Sequence, residues 1–273
     1  MRALGTSRAW PVEHGAVAVL HGGALVARDG SLGRRFPWAS ITKLLTAWAT
    51  LIAVEEGATT LDDPVGADDC TLRHLLAHAG GYGFDSPGPV SAPGRSRMYS
   101  NTGYEVLAEH VAMVTGMPFE TYLVEAVLAP LDMTHCRLEG SPAKGAVGTL
   151  DDLVAFAREL VHPALVHEDT AALATSVAFA DLSGIVPAVG RFTPCPWGLG
   201  PEIKGSKTPH WTGTLTSAST YGHFGGSGTF VWIDPQIEVA CLALTDRPMP
   251  EWGMAHWPGF SDQVVAELLG TSS

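Results

Sequence analysis

Ser40 and Lys43 have the residue types and the spacing for covalent catalysis. They lie in Ala39-Ser40-Ile41-Thr42-Lys43, directly before an apolar run typical of a helix. If Ser40 caps this helix or lies in its first turn, Lys43 shares its face and the amine lies near the hydroxyl. A serine hydroxyl is a weak nucleophile until a base removes its proton, and a lysine in a dry pocket could act as that base. The pair therefore predicts a nucleophilic serine beside its proton acceptor.

The Ser-x-x-Lys spacing is weak evidence when taken alone, because it arises readily by chance. This chain has a second copy, Ser141-Pro142-Ala143-Lys144, between Gly140 and Gly145 and with no apolar helix behind it. We interpret the second copy as a loop. A catalytic role for Ser40 therefore requires partners from elsewhere in the chain.

Tyr99-Ser100-Asn101 supplies the first candidate partners. Asn101 is the only asparagine in the chain, and in an extended segment Tyr99 and Asn101 would point to the same side. In one interpretation Tyr99 accepts a proton and Asn101 is an orienting amide. In the other, Asn101 caps the following helix and Tyr99 is a core aromatic residue.

A glycine-rich stretch, Tyr221-Gly222-His223-Phe224-Gly225-Gly226-Ser227-Gly228, supplies the next candidates. Glycines at this density let another backbone or a substrate approach closely. A backbone N–H here could complete an oxyanion hole with the N–H of Ser40. The alternative is a glycine-rich hairpin with an incidental histidine.

These segments must be positioned by strands at the two ends of the chain and helices between them. Residues 16–20 with 24–27, and 228–233 with 238–245, predict two hairpins. Helices are predicted at 40–56, 72–77, 104–115, 118–128, 150–161 and 260–269, with a long loop at 80–94. The expected fold is an α/β (α+β) sheet domain (1–60 and 190–273), a helical lobe inserted at 61–189, and a cleft between them.

Composition and charge exclude several classes of function. With 273 residues, 46% of them hydrophobic, the chain can bury a large core as one large domain or two intertwined ones. A net charge of -12 without a Lys/Arg cluster disfavours nucleic acid and membrane surfaces as partners. We find no apolar run long enough for a signal peptide or a membrane span, so we expect a cytoplasmic protein with reduced cysteines. These are Cys70, Cys136, Cys195 and Cys241.

Taken together and in order, Ser40-Ile41-Thr42-Lys43, Tyr99-Ser100-Asn101 and His223-Phe224-Gly225 resemble the motifs of the serine β-lactamase and penicillin-binding protein superfamily. The chain is most similar to the class C β-lactamase-like branch, which includes family VIII esterases and D-aminopeptidases. The resemblance implies a β-lactamase-like antiparallel sheet flanked by helices. It also implies that Ser40 is acylated, while Lys43 and Tyr99 share the proton handling. Which of the two removes the Ser40 proton stays open.

The resemblance also implies roles for the remaining candidates. Asn101 would orient the substrate or Lys43. His223, in the His-x-Gly motif that ends at Gly225, would hydrogen-bond Tyr99 or the substrate. The N–H groups of Ser40 and Gly226 would form the oxyanion hole.

The expected function is hydrolysis of small esters or amides through an acyl-enzyme. His223 replaces the lysine that β-lactamases usually carry in this motif, which disfavours β-lactamase activity. A β-lactamase or D-Ala-D-Ala carboxypeptidase of the same fold is the first alternative, and a non-catalytic binding protein is the second. The predicted partner is a small-molecule ester, amide or β-lactam.

No metal or cofactor is predicted. His74 and His78 have zinc-like helical spacing, but Leu75 stands where a metalloprotease motif has glutamate. The glycine-rich stretch lacks the lysine of a phosphate loop and precedes a strand. We also expect Trp197, Trp211 and the 83–94 loop to line the cleft.

Overall fold

The computed structural model of the protein describes residues 1–249 and 251–270. The helices are α1 (Thr42–Glu55), α2 (Leu72–Leu76), α3 (Thr102–Thr115), α4 (Phe119–Leu123), α5 (Leu150–Val161), α6 (Glu168–Ala174) and α7 (Glu251–Leu268). The strands are β1 (Gly15–His21), β2 (Ala24–Gly30), β3 (Phe36–Pro37), β4 (Arg137–Leu138), β5 (Ala146–Gly148), β6 (Gly184–Val186), β7 (Gly190–Phe192), β8 (Glu202–Ile203), β9 (Tyr221–Gly225), β10 (Thr229–Asp234) and β11 (Val239–Thr245). The remaining helical segments are 3₁₀ at Ala3–Ala9 and Ala39–Ile41 and π-helical at Val124–Leu128.

A six-stranded antiparallel sheet, in the order β2-β1-β11-β10-β9-β8, forms the centre of the fold. The hairpins β1–β2 and β10–β11 confirm both hairpin predictions, and Gly22 and Gly23 adopt positive φ in the first turn. Successive side chains point to opposite faces of a strand. Because β1, β10 and β11 are apolar on both faces, the sheet must be covered on both sides.

Each face of the sheet has its own core. On one face α5 packs across β1, β10 and β11 within a core that also contains α1. On the other face lie α7 and the turn Ala3–Ala9, and Trp232 donates a hydrogen bond to Ser261 of α7 at 3.0 Å. The predicted division into a sheet domain and an inserted helical lobe stays a prediction. The packing of α5 ties part of the 61–189 segment directly to the sheet.

The predicted helices at 72–77, 104–115, 118–128 and 150–161 are confirmed, the third as α4 continued by the π turn. The short strands β4 to β7 were not predicted, because two or three residues are too few to show an alternating pattern.

The last helix begins at Glu251, well before the predicted residue 260, and Pro258 lies inside it. The early part of the helix is held by Trp252 and Trp257, which are buried in the core beneath the sheet. Tertiary packing therefore outweighs the local signal of the proline.

Helix α1 is buried along nearly its whole length, from Thr42 to Ala53. A helix that is surrounded on all sides lies inside the protein rather than on its surface. Gly57 adopts a φ of 76° just after the helix, in agreement with the predicted stop. Residues at the start of α1 are thereby held in the interior of the protein.

Within the described residues, no single helix is long and apolar enough to cross a bilayer. Only α3 together with Phe119–Leu128 meets such a test by length and composition, and the two are bent by 84°.

Candidate active site

Ser40 lies in the 3₁₀ turn Ala39–Ile41, which connects β3 to α1. The helix itself begins at Thr42 and Ile41 is its N-cap, so of the two positions expected for Ser40 the cap is wrong. The turn is fixed from two sides. Trp38 N donates to the Ala146 carbonyl at 2.8 Å, and Thr229 Oγ1 donates to the Trp38 carbonyl at 3.0 Å. The Ser40 hydroxyl is therefore left free to contact other side chains.

Close approach of β9 to this turn depends on Gly225. A Cβ at residue 225 would overlap the Trp38 carbonyl oxygen and lie 2.5 Å from Thr229 Oγ1 and 3.0 Å from the Ala39 Cβ. Ala39 has a φ of 46°, which is uncommon for a residue other than glycine and is typical of strained functional turns. Gly225 thus positions the serine turn.

Lys43 is fully buried and its Nζ has polar contacts to three oxygen atoms. The Asn101 Oδ1 lies at 2.6 Å, the Ala143 carbonyl at 2.9 Å and the Ser40 Oγ at 3.4 Å. Burial, with a smaller contribution from the Lys144 charge, holds the pKa of Lys43 well below its usual value. The amine is therefore shifted toward its neutral form.

The geometry around a neutral Lys43 determines where its lone pair points. A neutral amine has two N–H groups and one lone pair. The Asn101 Oδ1 and the Ala143 carbonyl can only accept, so they take the two N–H groups. The lone pair is then directed at the longest contact, the Ser40 hydroxyl. This arrangement suits removal of the Ser40 proton.

Tyr99 reaches Ser40 from another direction. Tyr99 and Ser40 line the same cavity, and the Tyr99 ring centroid lies 4.7 Å from Lys43 Nζ. Burial raises the pKa of Tyr99 above its usual value. The shifts of both groups therefore favour a neutral amine beside a neutral phenol rather than a lysinium beside a phenolate.

Asn101 immediately precedes α3, but its side chain makes no capping bond. Its Oδ1 accepts from Lys43, and its Nδ2 donates to Asp85 Oδ1 at 2.9 Å. The interpretation of Asn101 as a helix cap is therefore wrong. The side chain instead bridges Lys43 and Asp85.

His223 lies on β9 and is 3% exposed. Its Nδ1 lies 2.7 Å from the Phe224 carbonyl and donates to it, so Nε2 carries the lone pair. This Nε2 has no hydrogen-bond partner among the described residues. The hydrogen bond to Tyr99 that the resemblance allowed is therefore not made. Burial lowers the pKa of His223 to about 3, which keeps the ring neutral.

These groups meet at an inner cavity of about 190 Å³. It is lined by Ser40, Phe84, Tyr99, Val186, Pro187, Ala188, Trp197, His223, Phe224, Gly226 and Met249. The lining residues that are described include no side chain charged at neutral pH. A second, outer cavity of about 370 Å³ adjoins the inner one and shares Phe84, Tyr99 and Pro187 with it. Arg191 is among the residues that line the outer cavity.

The predictions about the cleft wall are partly confirmed. Trp197 lines the inner cavity, and of the 83–94 loop Phe84 lines both cavities and Gly83 the outer one. The prediction for Trp211 is wrong. It is 1% exposed, its Nε1 donates to Glu202 Oε2 at 2.6 Å, and its ring packs against Phe224 and Phe230. Residue type alone did not distinguish core aromatics from cavity aromatics.

Several contributors to the site were missed in the sequence. The Ala143 carbonyl accepts a hydrogen bond from Lys43. Ala143 belongs to the second Ser-x-x-Lys copy, which is a loop, as the sequence analysis predicts. Asp85 holds Asn101. His78 packs on the Tyr99 ring at 4.6 Å and accepts from Ser100 N at 3.2 Å, while His74 joins the cap of α2 through Thr71. The hairpin β6–β7 supplies Val186, Pro187 and Ala188 to the cavity wall.

The fold and the site together define a class of proteins in which a serine is held between a buried lysine and a tyrosine at the edge of an antiparallel sheet. The Beta-lactamase family model matches residues 12–265, so this chain belongs to the beta-lactamase family. The expected fold class is confirmed as well. A crystal structure of a beta-lactamase from Mycobacterium bovis is 45% identical, with a TM-score of 0.95, and the match covers 97% of this chain and 99% of that one.

More distant relatives have different names. A protein of Escherichia coli O157:H7, provisionally named a D-alanyl-D-alanine carboxypeptidase, is 25% identical over 336 residues, covering 88% of this chain and 75% of that protein. The solved structure of EstCE1, described as a hydrolase with promiscuous acyltransferase activity, is 16% identical with a TM-score of 0.79 and 97% coverage of both chains. At that identity the second likeness shows the fold alone.

Neighbouring glycines provide a matched test of the serine turn. We expect Gly225→Ala to lower the stability by about 1–3 kcal/mol, because the new methyl group must displace Trp38 or Thr229. Gly226→Ala should melt like the wild type, since a Cβ there meets nothing within 4 Å. Thermal denaturation followed by circular dichroism compares the two. Equal melting temperatures for Gly225→Ala and the wild type would contradict the close approach.

Proposed function

We propose that this protein is a serine hydrolase that cleaves small, uncharged esters through an acyl-enzyme at Ser40. The observation that carries the proposal is the fully buried Lys43, whose two acceptors leave its lone pair for Ser40. Membership of the beta-lactamase family supports the reaction class.

In the proposed first half-reaction, neutral Lys43 takes the Ser40 proton as Oγ attacks the ester carbonyl carbon. The carbonyl oxygen becomes an oxyanion and accepts hydrogen bonds from the N–H groups of Ser40 and Gly226, each worth about 3–4 kcal/mol at the transition state. The C–O bond to the leaving group then breaks. The leaving alkoxide receives a proton from the Tyr99 hydroxyl, which is reprotonated by the Lys43 ammonium.

In the second half-reaction a water molecule takes the place of the leaving alcohol. Lys43 removes a proton from the water as its oxygen attacks the acyl carbon. The Ser40–acyl bond then breaks, the proton returns to Ser40 Oγ, and the carboxylic acid leaves. No net charge is left on the protein.

An uncharged substrate is favoured by the polarity of the inner cavity. Burying an unpaired carboxylate costs several kcal/mol, and the described lining residues offer no cation. Neutral His223 offers only an acceptor at Nε2, which suits a hydroxyl or an amide N–H of the substrate. Lys207, which is also buried, is already 2.8 Å from Glu202.

A D-alanyl-D-alanine carboxypeptidase is the second candidate, because its substrates end in a carboxylate and Arg191 lines the adjoining outer cavity. A substrate long enough to span both cavities could place its carboxylate near that guanidinium. A β-lactamase would likewise need a partner for the carboxylate of its substrate.

Covalent labelling tests the nucleophile. Ser40→Ala should abolish labelling by a fluorophosphonate probe, seen by intact-protein mass spectrometry, together with hydrolysis of p-nitrophenyl butyrate. Ser176→Ala, at an exposed serine, is the control and should label like the wild type. Retained turnover in a folded Ser40→Ala protein would refute the assignment.

Two esters with acyl chains of equal length test the polarity of the cavity. We expect kcat/KM for p-nitrophenyl butyrate to exceed that for p-nitrophenyl hemisuccinate by about 100-fold or more, because the second ester buries a carboxylate. Equal values would contradict an uncharged substrate. A preference for the hemisuccinate that is lost in Arg191→Gln would favour the second candidate.

The pH profile separates the roles of Lys43 and Tyr99. Lys43 must be neutral to act as the base, so kcat/KM should fall as the pH drops through its depressed pKa. Tyr99→Phe should lower kcat by about 10²–10⁴ while this acid limb persists, because the limb belongs to Lys43. A loss below tenfold, or disappearance of the limb, would give Tyr99 a different role.

A further inference from the structure

Asp85 is linked to Lys43 through a single side chain. Asp85 Oδ1 accepts from Asn101 Nδ2 at 2.9 Å, and Asn101 Oδ1 accepts from Lys43 Nζ at 2.6 Å. Asn101 is 2% exposed, whereas the Asp85 side chain is 55% exposed. A carboxylate at the surface is thus joined to the fully buried amine beside the nucleophile.

The carboxylate determines which way the Asn101 amide faces. An ionised carboxylate only accepts hydrogen bonds, so it binds the NH₂ end of the amide. The amide oxygen must then face Lys43. In the reversed orientation, the amide NH₂ would oppose the lysine N–H groups and the amide oxygen would oppose the carboxylate. Asp85 therefore favours the orientation in which the Asn101 oxygen accepts from Lys43.

Lys144 connects Asp85 to the other acceptor of Lys43. Its Nζ lies 3.6 Å from Asp85 Oδ1, and it directly follows Ala143, whose carbonyl accepts from Lys43. The same segment is fixed by Thr46 Oγ1, which donates to the Pro142 carbonyl at 2.6 Å. The ion pair therefore connects the segment that carries the Ala143 carbonyl to Asp85, which in turn binds Asn101.

We propose that Asp85 is a positioning residue for the hydrolase reaction: through Asn101, and held by Lys144, it aims the Lys43 lone pair at Ser40. The proposal rests on the proposed function. The second Ser-x-x-Lys copy then has a role of its own, because its lysine fixes Asp85 and its preceding carbonyl fixes Lys43.

The charged groups nearest to Lys43 act on it in opposite directions. Lys144 disfavours the ammonium form of Lys43, while Asp85 and Glu105 favour it. Among the described residues, the other titratable groups that face Lys43 from neighbouring elements are rings, namely Tyr99, Tyr104, His78 and His223. Removing Asp85 or Lys144 therefore breaks the same ion pair but shifts the lysine in opposite senses.

The test compares Asp85→Asn with Lys144→Met, using kcat, KM and the pH profile for p-nitrophenyl butyrate. In Asp85→Asn the Asn101 amide is no longer held in one orientation. We therefore expect kcat of Asp85→Asn to be about tenfold below that of Lys144→Met, while KM stays nearly constant. The acid limb should move to lower pH in Asp85→Asn and to higher pH in Lys144→Met. Asp62→Asn, which removes a carboxylate from an exposed ion pair with Arg73, controls for loss of a surface charge.

If the Asp85–Lys144 ion pair were purely structural, its loss would lower kcat and move the acid limb equally in both variants. Equal losses of kcat with limbs that move together, or a wild-type profile in Asp85→Asn, would overturn the proposal. Fluorophosphonate labelling of Ser40 keeps this outcome distinct from failure of the proposed function. If Ser40 is labelled normally in the wild type, and Asp85→Asn has the kcat and pH profile of the wild type, only the role of Asp85 is refuted.

Discussion

The site depends on the burial of one amine without a counter-charge in contact with it. Lys43 is fully buried, and its nearest partners are an amide oxygen, a backbone carbonyl and a hydroxyl. Removing an ammonium from water is costly, so burial favours the neutral form. A neutral amine at the start of a buried helix can serve as a base, whereas an exposed lysine at neutral pH is an ammonium and cannot.

The surrounding fold buries that amine and fixes its orientation. Helix α1 is enclosed by the core, which fixes Lys43, while Gly225 lets β9 approach the turn that carries Ser40. Asn101 comes from the residue before α3, and the Ala143 carbonyl comes from the Ser141–Lys144 loop. Segments far apart in sequence therefore converge on a single nitrogen, and the sheet behind them provides the rigidity that such convergence requires.

The fold class was predicted from the resemblance to the superfamily, and the Ser40–Lys43 contact from their spacing. The approach of Tyr99 and Asn101 to this pair was implied only by the resemblance, because residues distant in the chain leave no local signal of their contact. Asp85 and Ala143 could not be predicted, since their contacts depend on how the 80–94 loop and the second Ser-x-x-Lys copy pack against α1. Aromatic residues were ambiguous for a similar reason. Both Trp197 and Trp211 are buried, and only the packing determines that the first lines the cavity while the second lies in the core.

The protonation state of Lys43 is the central claim, and the chain has only four lysines, so side-chain NMR can observe it directly. Protein labelled with ¹³C,¹⁵N-lysine would be titrated, and the Lys43 signal identified by its loss in Lys43→Met. We predict a neutral amine at a pH well below the usual lysine pKa, because burial disfavours the ammonium form. An Nζ that remains an ammonium at that pH would contradict Lys43 as the base and would return that role to Tyr99.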